Sequence, residues 1–195
     1  MLLKINKKLI LILVCVFGLM LNAFAGESVE DFSNNVATKF EKIGQIQDKA
    51  KQKTEIKKNV KENFDLQWIG GFVLGKNKKD LSEQQKQEFI NVFSEYLINN
   101  YLNLFLVIKK SNFKILSTEN RKNVYFVNTK IKYDDTDANV SFRVVENNDI
   151  FLITDIITEG VSFISTQRGE VDSKITQLGF EDFITELKEK NDASK

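Results

Sequence analysis

The chain contains no histidine and no proline, and its one cysteine, Cys15, lies inside an apolar run near the start. Without imidazole there is no histidine general base, no Ser-His-Asp triad and no histidine metal ligand. Without proline or a Gly/Ser-rich stretch there is no compositional linker, so the chain reads as one folding unit of ordinary domain size. Charge of one sign is also missing. Lys and Arg total 28 against 27 Asp and Glu, a formal net charge of +1, which is no electrostatic footprint for DNA or RNA.

What is present first is an export signal. Lys4, Lys7 and Lys8 form a positive start, residues 9–21 are uncharged and apolar, and Ala23-Phe24-Ala25 is a small-x-small cleavage site. The apolar run is shorter than the roughly 20 residues that span a bilayer, so a cleaved signal is expected over an uncleaved anchor. No lipobox precedes Cys15. Cleavage leaves residues 26–195 as a single exported domain. It removes three lysines and no acid, which turns the formal charge of +1 into −2. It also removes the only thiol, so the mature chain can form no disulfide and offers no cysteine nucleophile.

Periodicity then divides the mature chain in two. Val29, Phe32, Val36, Phe40 and Ile43 recur at helical spacing over residues 28–44. Residues 46–62 are Lys/Gln/Glu-rich with a thin stripe at Ile46, Ala50, Ile56 and Val60, as in a solvated helix. Residues 64–75 are apolar almost all round, which predicts a short buried helix ended by Gly75; Gly70-Gly71 marks close packing or a kink. Ser82 with Gln85 forms a capping box ahead of a long stripe from Phe89 through Phe93, Leu97, Tyr101 and Phe105 to Ile108. The period then changes to two: residues 124–133 and 140–144 alternate as strands, residues 150–157 are a third, β-branched strand apolar on both faces in its first half, and a further strand lies near 113–117. Asp134-Asp135-Thr136-Asp137 and residues 146–149 are turns. A last helix bears Val171, Ile175, Leu178, Phe183, Ile184 and Leu187 and bends near Gly179. The expected fold is α+β, with several helices on a curved antiparallel sheet and an apolar cleft between the layers.

Few constellations carry chemistry. Gly70 to Asn77 nearly spells a phosphate-binding loop, but Asn77 replaces the magnesium-binding hydroxyl and the interior is Phe72-Val73-Leu74, which favours burial. Asp134, Asp135 and Asp137 lack calcium-loop spacing. Asp155 and Glu159 are either a carboxylate pair for acid–base work or structural groups, with Glu159 holding the turn at Gly160 or pairing with Arg168. Lys76, Lys78, Lys79, Lys109 and Lys110 are basic helix ends that face solvent or meet a phosphate head group. No metal or cofactor is expected, and no enzymatic activity.

Two groups of residues carry a resemblance. Phe64-Asp65 followed by Val73-Leu74-Gly75, with Gln84, Phe89, Leu97 and Tyr101, forms the first. Asp155, Glu159-Gly160-Val161-Ser162, Arg168, Gly179 and Leu187 form the second. In order and spacing, across most of residues 60–188, they resemble the MlaC family of periplasmic phospholipid-binding proteins. The chain departs from the family pattern at Phe151, where Trp is usual, at Gln167, where Tyr often precedes the Arg, and at Val171, where Phe is common. The resemblance implies a phospholipid shuttle between an outer-membrane lipoprotein complex and an inner-membrane ABC transporter complex, acting as a monomer. It places the acyl chains between sheet and helices. The candidate lining residues are Trp68, Phe72, Val73, Tyr101, Ile131, Phe142, Ile153, Val161 and Phe163. The competing expectation is a periplasmic adaptor that binds a protein or small apolar ligand without transporting lipid.

Overall fold

The computed structural model describes residues 27–100, 102–107, 112–133, 136–148 and 150–194. The signal-peptide reading, and Tyr101, Ile108, Lys109, Lys110, Asp134 and Asp135, lie outside them. Helices come first. They are α1 (Val29–Gly44), α2 (Lys49–Asn63), α3 (Leu66–Leu74), a 3-10 turn (Gly75–Asp80), α4 (Glu83–Asn100) and α5 (Leu102–Val107). Strands β1 (Phe113–Asn120), β2 (Val124–Tyr133), β3 (Thr136–Asn147), β4 (Ile150–Thr158) and β5 (Val161–Ser162) follow, then α6 (Phe163–Leu178) and α7 (Phe180–Ala193).

Caps set the helix starts. Ser28 accepts from the Asp31 amide, Asp48 from those of Ala50 and Lys51, and Asp65 from that of Trp68. The box before α4 is reciprocal: the Gln85 amide donates to Ser82 Oγ at 3.2 Å and the Ser82 amide to Gln85 Oε1 at 3.0 Å. Of the long stripe expected through Ile108, Glu83–Asn100 (α4) and Leu102–Val107 (α5) are helical.

The sheet is an open antiparallel meander in the order β1-β2-β3-β4-β5. The β1–β2 connection is a tight turn with Lys122 and Asn123 both at positive φ, the twist that suits a two-residue hairpin. Val127, Thr129 and Ile131 on β2 and Val140, Phe142 and Val144 on β3 are buried toward the helices. Two bulges break the alternation, between Ile115 and Ser117 on β1 and opposite Arg143/Val144 on β4. Each changes the face its strand presents; Leu116 is turned outward, 52 % exposed. Ile150, read as the start of a strand apolar on both faces, is 59 % exposed. After Glu159-Gly160 the chain does not leave the sheet at once, because Val161 and Ser162 pair back on Thr158 and Ile157 as β5.

One apolar core joins the layers. Helix α1 lies over β1 and β2, whereas α3 and α6 pack together at the β4 side and α4 packs on α7. Gly70 lets α3 approach α4: a Cβ there would sit 2.9 Å from Ile90. This is the close packing its sequence position suggested, and Gly71 faces open space.

Candidate functional site

Where α3 and α6 meet β4, the layers do not close. An apolar slot of about 40 Å³ remains there. Its helical wall is Val60 and Phe64 from the end of α2, Leu66 and Ile69 from α3, Leu97 and Ile98 from α4 and Phe105 from α5. The opposite wall is Asp155 and Ile156 of β4 with Phe163 and Ile164 of α6. Most of these residues are buried, but Leu66, Ile156 and Phe163 are half-exposed, which locates the mouth. Trp68 of α3 and Val161 of β5 are exposed, 38 % and 63 %.

Asp155 is the one polar lining residue, and its carboxylate is fully engaged by the fold. Oδ1 accepts from the Ile156 amide at 2.8 Å and the Ile164 amide at 3.2 Å, and Oδ2 from the Ser162 hydroxyl at 2.6 Å. It therefore ties the start of α6 to β4. Glu159 sits at φ 49° in the turn and accepts from the Asn139 amide at 2.8 Å. Of the readings open for Glu159, the turn is where its carboxylate is used. Arg168 lies elsewhere.

Arg168 runs beside Gly75. Its Nε would be 2.7 Å from a Cβ at that position, and Gly75 itself has φ +56°, a conformation that disfavours any side chain. The Arg168 guanidinium then covers the Phe72 ring at 5.1 Å, Phe72 stacks on Trp68 at 5.2 Å, and Arg143 covers the outer face of Trp68 at 4.8 Å. Beside this ladder, Lys76 pairs with Asp172 at 2.9 Å and Asn77 donates to the same carboxylate at 3.2 Å. These contacts hold Asp172 below the usual carboxylate range through the Lys76 and Asn77 hydrogen bonds. The near phosphate-binding loop is thus the end of a helix and a 3-10 turn, with Lys78 and Lys79 exposed.

The sequence-derived lining residues fall into three places. Phe163 lines the slot, whereas Trp68 and Val161 are exposed and outside its lining. Val73 is buried in the α3–α6 seam, and Phe72 is half-buried in the ladder. Ile131, Phe142 and Ile153 are buried on the sheet's inner face, where Phe142 and Ile153 border a second gap of about 10 Å³ with Phe113 and Val36. Most of the slot wall, including Val60, Ile69, Ile98 and Ile164, was not foreseen. Among the described residues no group of His, Cys, Asp and Glu could hold a metal ion, and no helix is long and apolar enough to cross a membrane.

The model of the family described as MlaC protein matches residues 30–189. The chain belongs to the MlaC family. The two sequence blocks that first suggested it meet in space at Gly75 and Arg168. Among solved structures, the chain is similar to a phospholipid-binding protein from Ralstonia solanacearum in complex with a phospholipid. The identity is 14 %, the TM-score 0.60, and the match covers 85 % of this chain and 93 % of that one. At that identity the likeness is one of fold. No curated protein matches.

Proposed function

We propose that this MlaC-family chain is a periplasmic phospholipid carrier that exchanges lipid between an outer-membrane lipoprotein complex and an inner-membrane ABC transporter complex. It performs no chemistry on its cargo. The observation that carries the reading is the apolar slot between helices and sheet, open at the half-exposed Leu66, Ile156 and Phe163. The phospholipid bound by the Ralstonia relative and the export signal support it.

Each acyl methylene removed from water gains about 0.8 kcal/mol, so a free lipid leaves a bilayer too rarely to cross an aqueous space. A carrier need only offer the tails a dry environment equivalent to the bilayer. Transfer is then close to neutral, and loading can run in either direction. The slot volume of about 40 Å³ is far below the roughly 300–1,000 Å³ of ordinary ligand pockets. To take an acyl chain the slot must widen, so loading parts α3 and α6 from β4.

Native mass spectrometry of protein purified from the periplasm without detergent tests the reading. About one phospholipid per chain is expected. A lipid-free mass, together with failure to extract lipid from vesicles, overturns it.

A further inference from the structure

Arg143 has a position that the tail slot does not explain. It stands across the β3–β4 ladder from Asp155, which lines the slot, yet it gains no ion pair there. Both Asp155 oxygens are already taken by Ser162, Ile156 and Ile164. The described residues contain three arginines besides the lysines. Arg121 is paired with Glu119 at 2.7 Å, while Arg143 and Arg168 form no ion pair among the described residues. Arg143 is nevertheless held in place. Its Nη1 donates to Thr154 Oγ1 at 2.5 Å, and Thr154 in turn donates to the Arg143 carbonyl at 3.1 Å. Its guanidinium carbon lies 4.8 Å from the centre of the Trp68 ring, which is itself stacked on Phe72. Thr154 is the extra residue of the β4 bulge, so the bulge supplies the hydroxyl that fixes the guanidinium.

The result is a pre-oriented, half-exposed guanidinium with most of its five donors free. It stands beside the slot through its ladder partner Asp155 and is covered by Trp68 of α3, the helix that supplies Leu66 and Ile69 to the slot wall. A planar fork of this kind is matched to phosphate oxygens, and its stacking on an aromatic face leaves the N–H edge available. We propose that Arg143 is the head-group receptor of the carrier and takes the phosphate of a lipid whose tails occupy the slot. This rests on the carrier reading. It goes further in requiring a phosphate and in placing it at one residue, so the tails alone do not set what is carried.

The test uses vesicles of phosphatidylcholine containing equal trace amounts of a labelled phosphatidylglycerol and a labelled diacylglycerol with the same acyl chains. Extracted lipid is read as the ratio of the two. The wild-type ratio should favour the phospholipid by about tenfold or more, the range of a charge-assisted hydrogen bond. Arg143→Gln should bring the ratio toward one, and Arg143→Lys should keep part of it. Arg121→Gln, which removes the same charge at the far β1–β2 turn, should leave the ratio unchanged. A wild-type ratio near one, or equal ratios in wild type and Arg143→Gln, overturns the proposal while leaving the carrier reading intact. Extraction of neither lipid overturns the carrier reading and the receptor with it. The single tryptophan adds a readout that needs no mutation, because Trp68 lies under Arg143. A saturable change in its fluorescence with inorganic phosphate, with no lipid preference, assigns the site to a free anion and overturns the head-group assignment.

Discussion

Filling the slot with protein instead of lipid should stabilise the empty carrier and weaken its hold on lipid, by linked amounts. Val60 is buried and lines the slot from α2. Val60→Ile adds one methylene without changing the branched χ1 preference of the helix position. The slot volume of about 40 Å³ is close to the roughly 30 Å³ share of one small molecule of liquid water, so one methylene fits without displacing a neighbour. Burying it stabilises the lipid-free protein by about 0.8 kcal/mol. In the loaded protein the same methylene displaces an equivalent piece of acyl chain and gains nothing net. The affinity for lipid should therefore fall by the same 0.8 kcal/mol, about fourfold. Urea unfolding of lipid-stripped protein gives the first quantity and lipid extraction from vesicles the second. If Val60→Ile instead destabilises the stripped protein by the roughly 1–3 kcal/mol typical of overpacking, the slot is already closed in solution and the reasoning fails.

The fold's polar fastenings give three further predictions. Gly75→Ala should destabilise by about 1–3 kcal/mol, because it forces a side chain into positive φ against Arg168; chemical denaturation should show part of this recovered when Arg168→Ala is added. Asp155→Asn puts an amide donor among three donors and should cost about 2–3 kcal/mol, read from the same curves. Glu95 is raised by burial, but its bonds to Lys57 and Lys61, each at 2.7 Å, outweigh this and hold it below its ordinary value of 4.5. Its ion pairs therefore add stability that is complete above about pH 4.5 and disappears as pH falls through the lowered value. Glu95→Gln should cost about 1 kcal/mol at pH 7, where the partly exposed pairs are screened, and progressively less as the pH falls below about 4.5.

The element types were legible because each half of the chain holds one period. The Val29–Ile43 stripe became α1, the Ser82–Gln85 box opened α4, and the alternation at Val127, Thr129 and Ile131 became the inner face of β2. The bulge at Thr154 was hidden, since the residues around it read as a continuous β-branched run and a bulge depends on the partner strand. The slot was less legible still. Phe163 was found through the turn that precedes it. Val60, Ile69 and Ile98 lie on helix faces whose spacing is the same whether the space opposite is filled or empty. Arg143 carried no signal at all, because its role depends on Trp68 arriving from a helix more than seventy positions earlier.

Why the gap opens at β4 and not elsewhere follows from how the layers are fastened. Among the described residues, polar bonds join the helices to β4 near the starts of α3 and α6. The Asp65 amide donates to the Ile153 carbonyl at 2.9 Å just before α3, and Asp155 holds the first turn of α6. Both bonds lie at helix starts. Beyond them, the slot faces of α3 and α6 meet β4 through apolar side chains alone, and apolar contact is non-directional. Separating such faces exposes area, a loss that an entering acyl chain offsets by covering the same area. Separating the polar points would strand buried donors, which no hydrocarbon can satisfy. The helix starts should therefore act as fixed hinges while the slot faces swing apart. Amide exchange should show it: Ile164 and Asp65 should stay protected in lipid-free and loaded protein alike, while amides along the rest of α3 change protection on loading. Equal protection changes at the hinges and along α3 would mean that the whole helical layer detaches, and the hinge argument would be wrong.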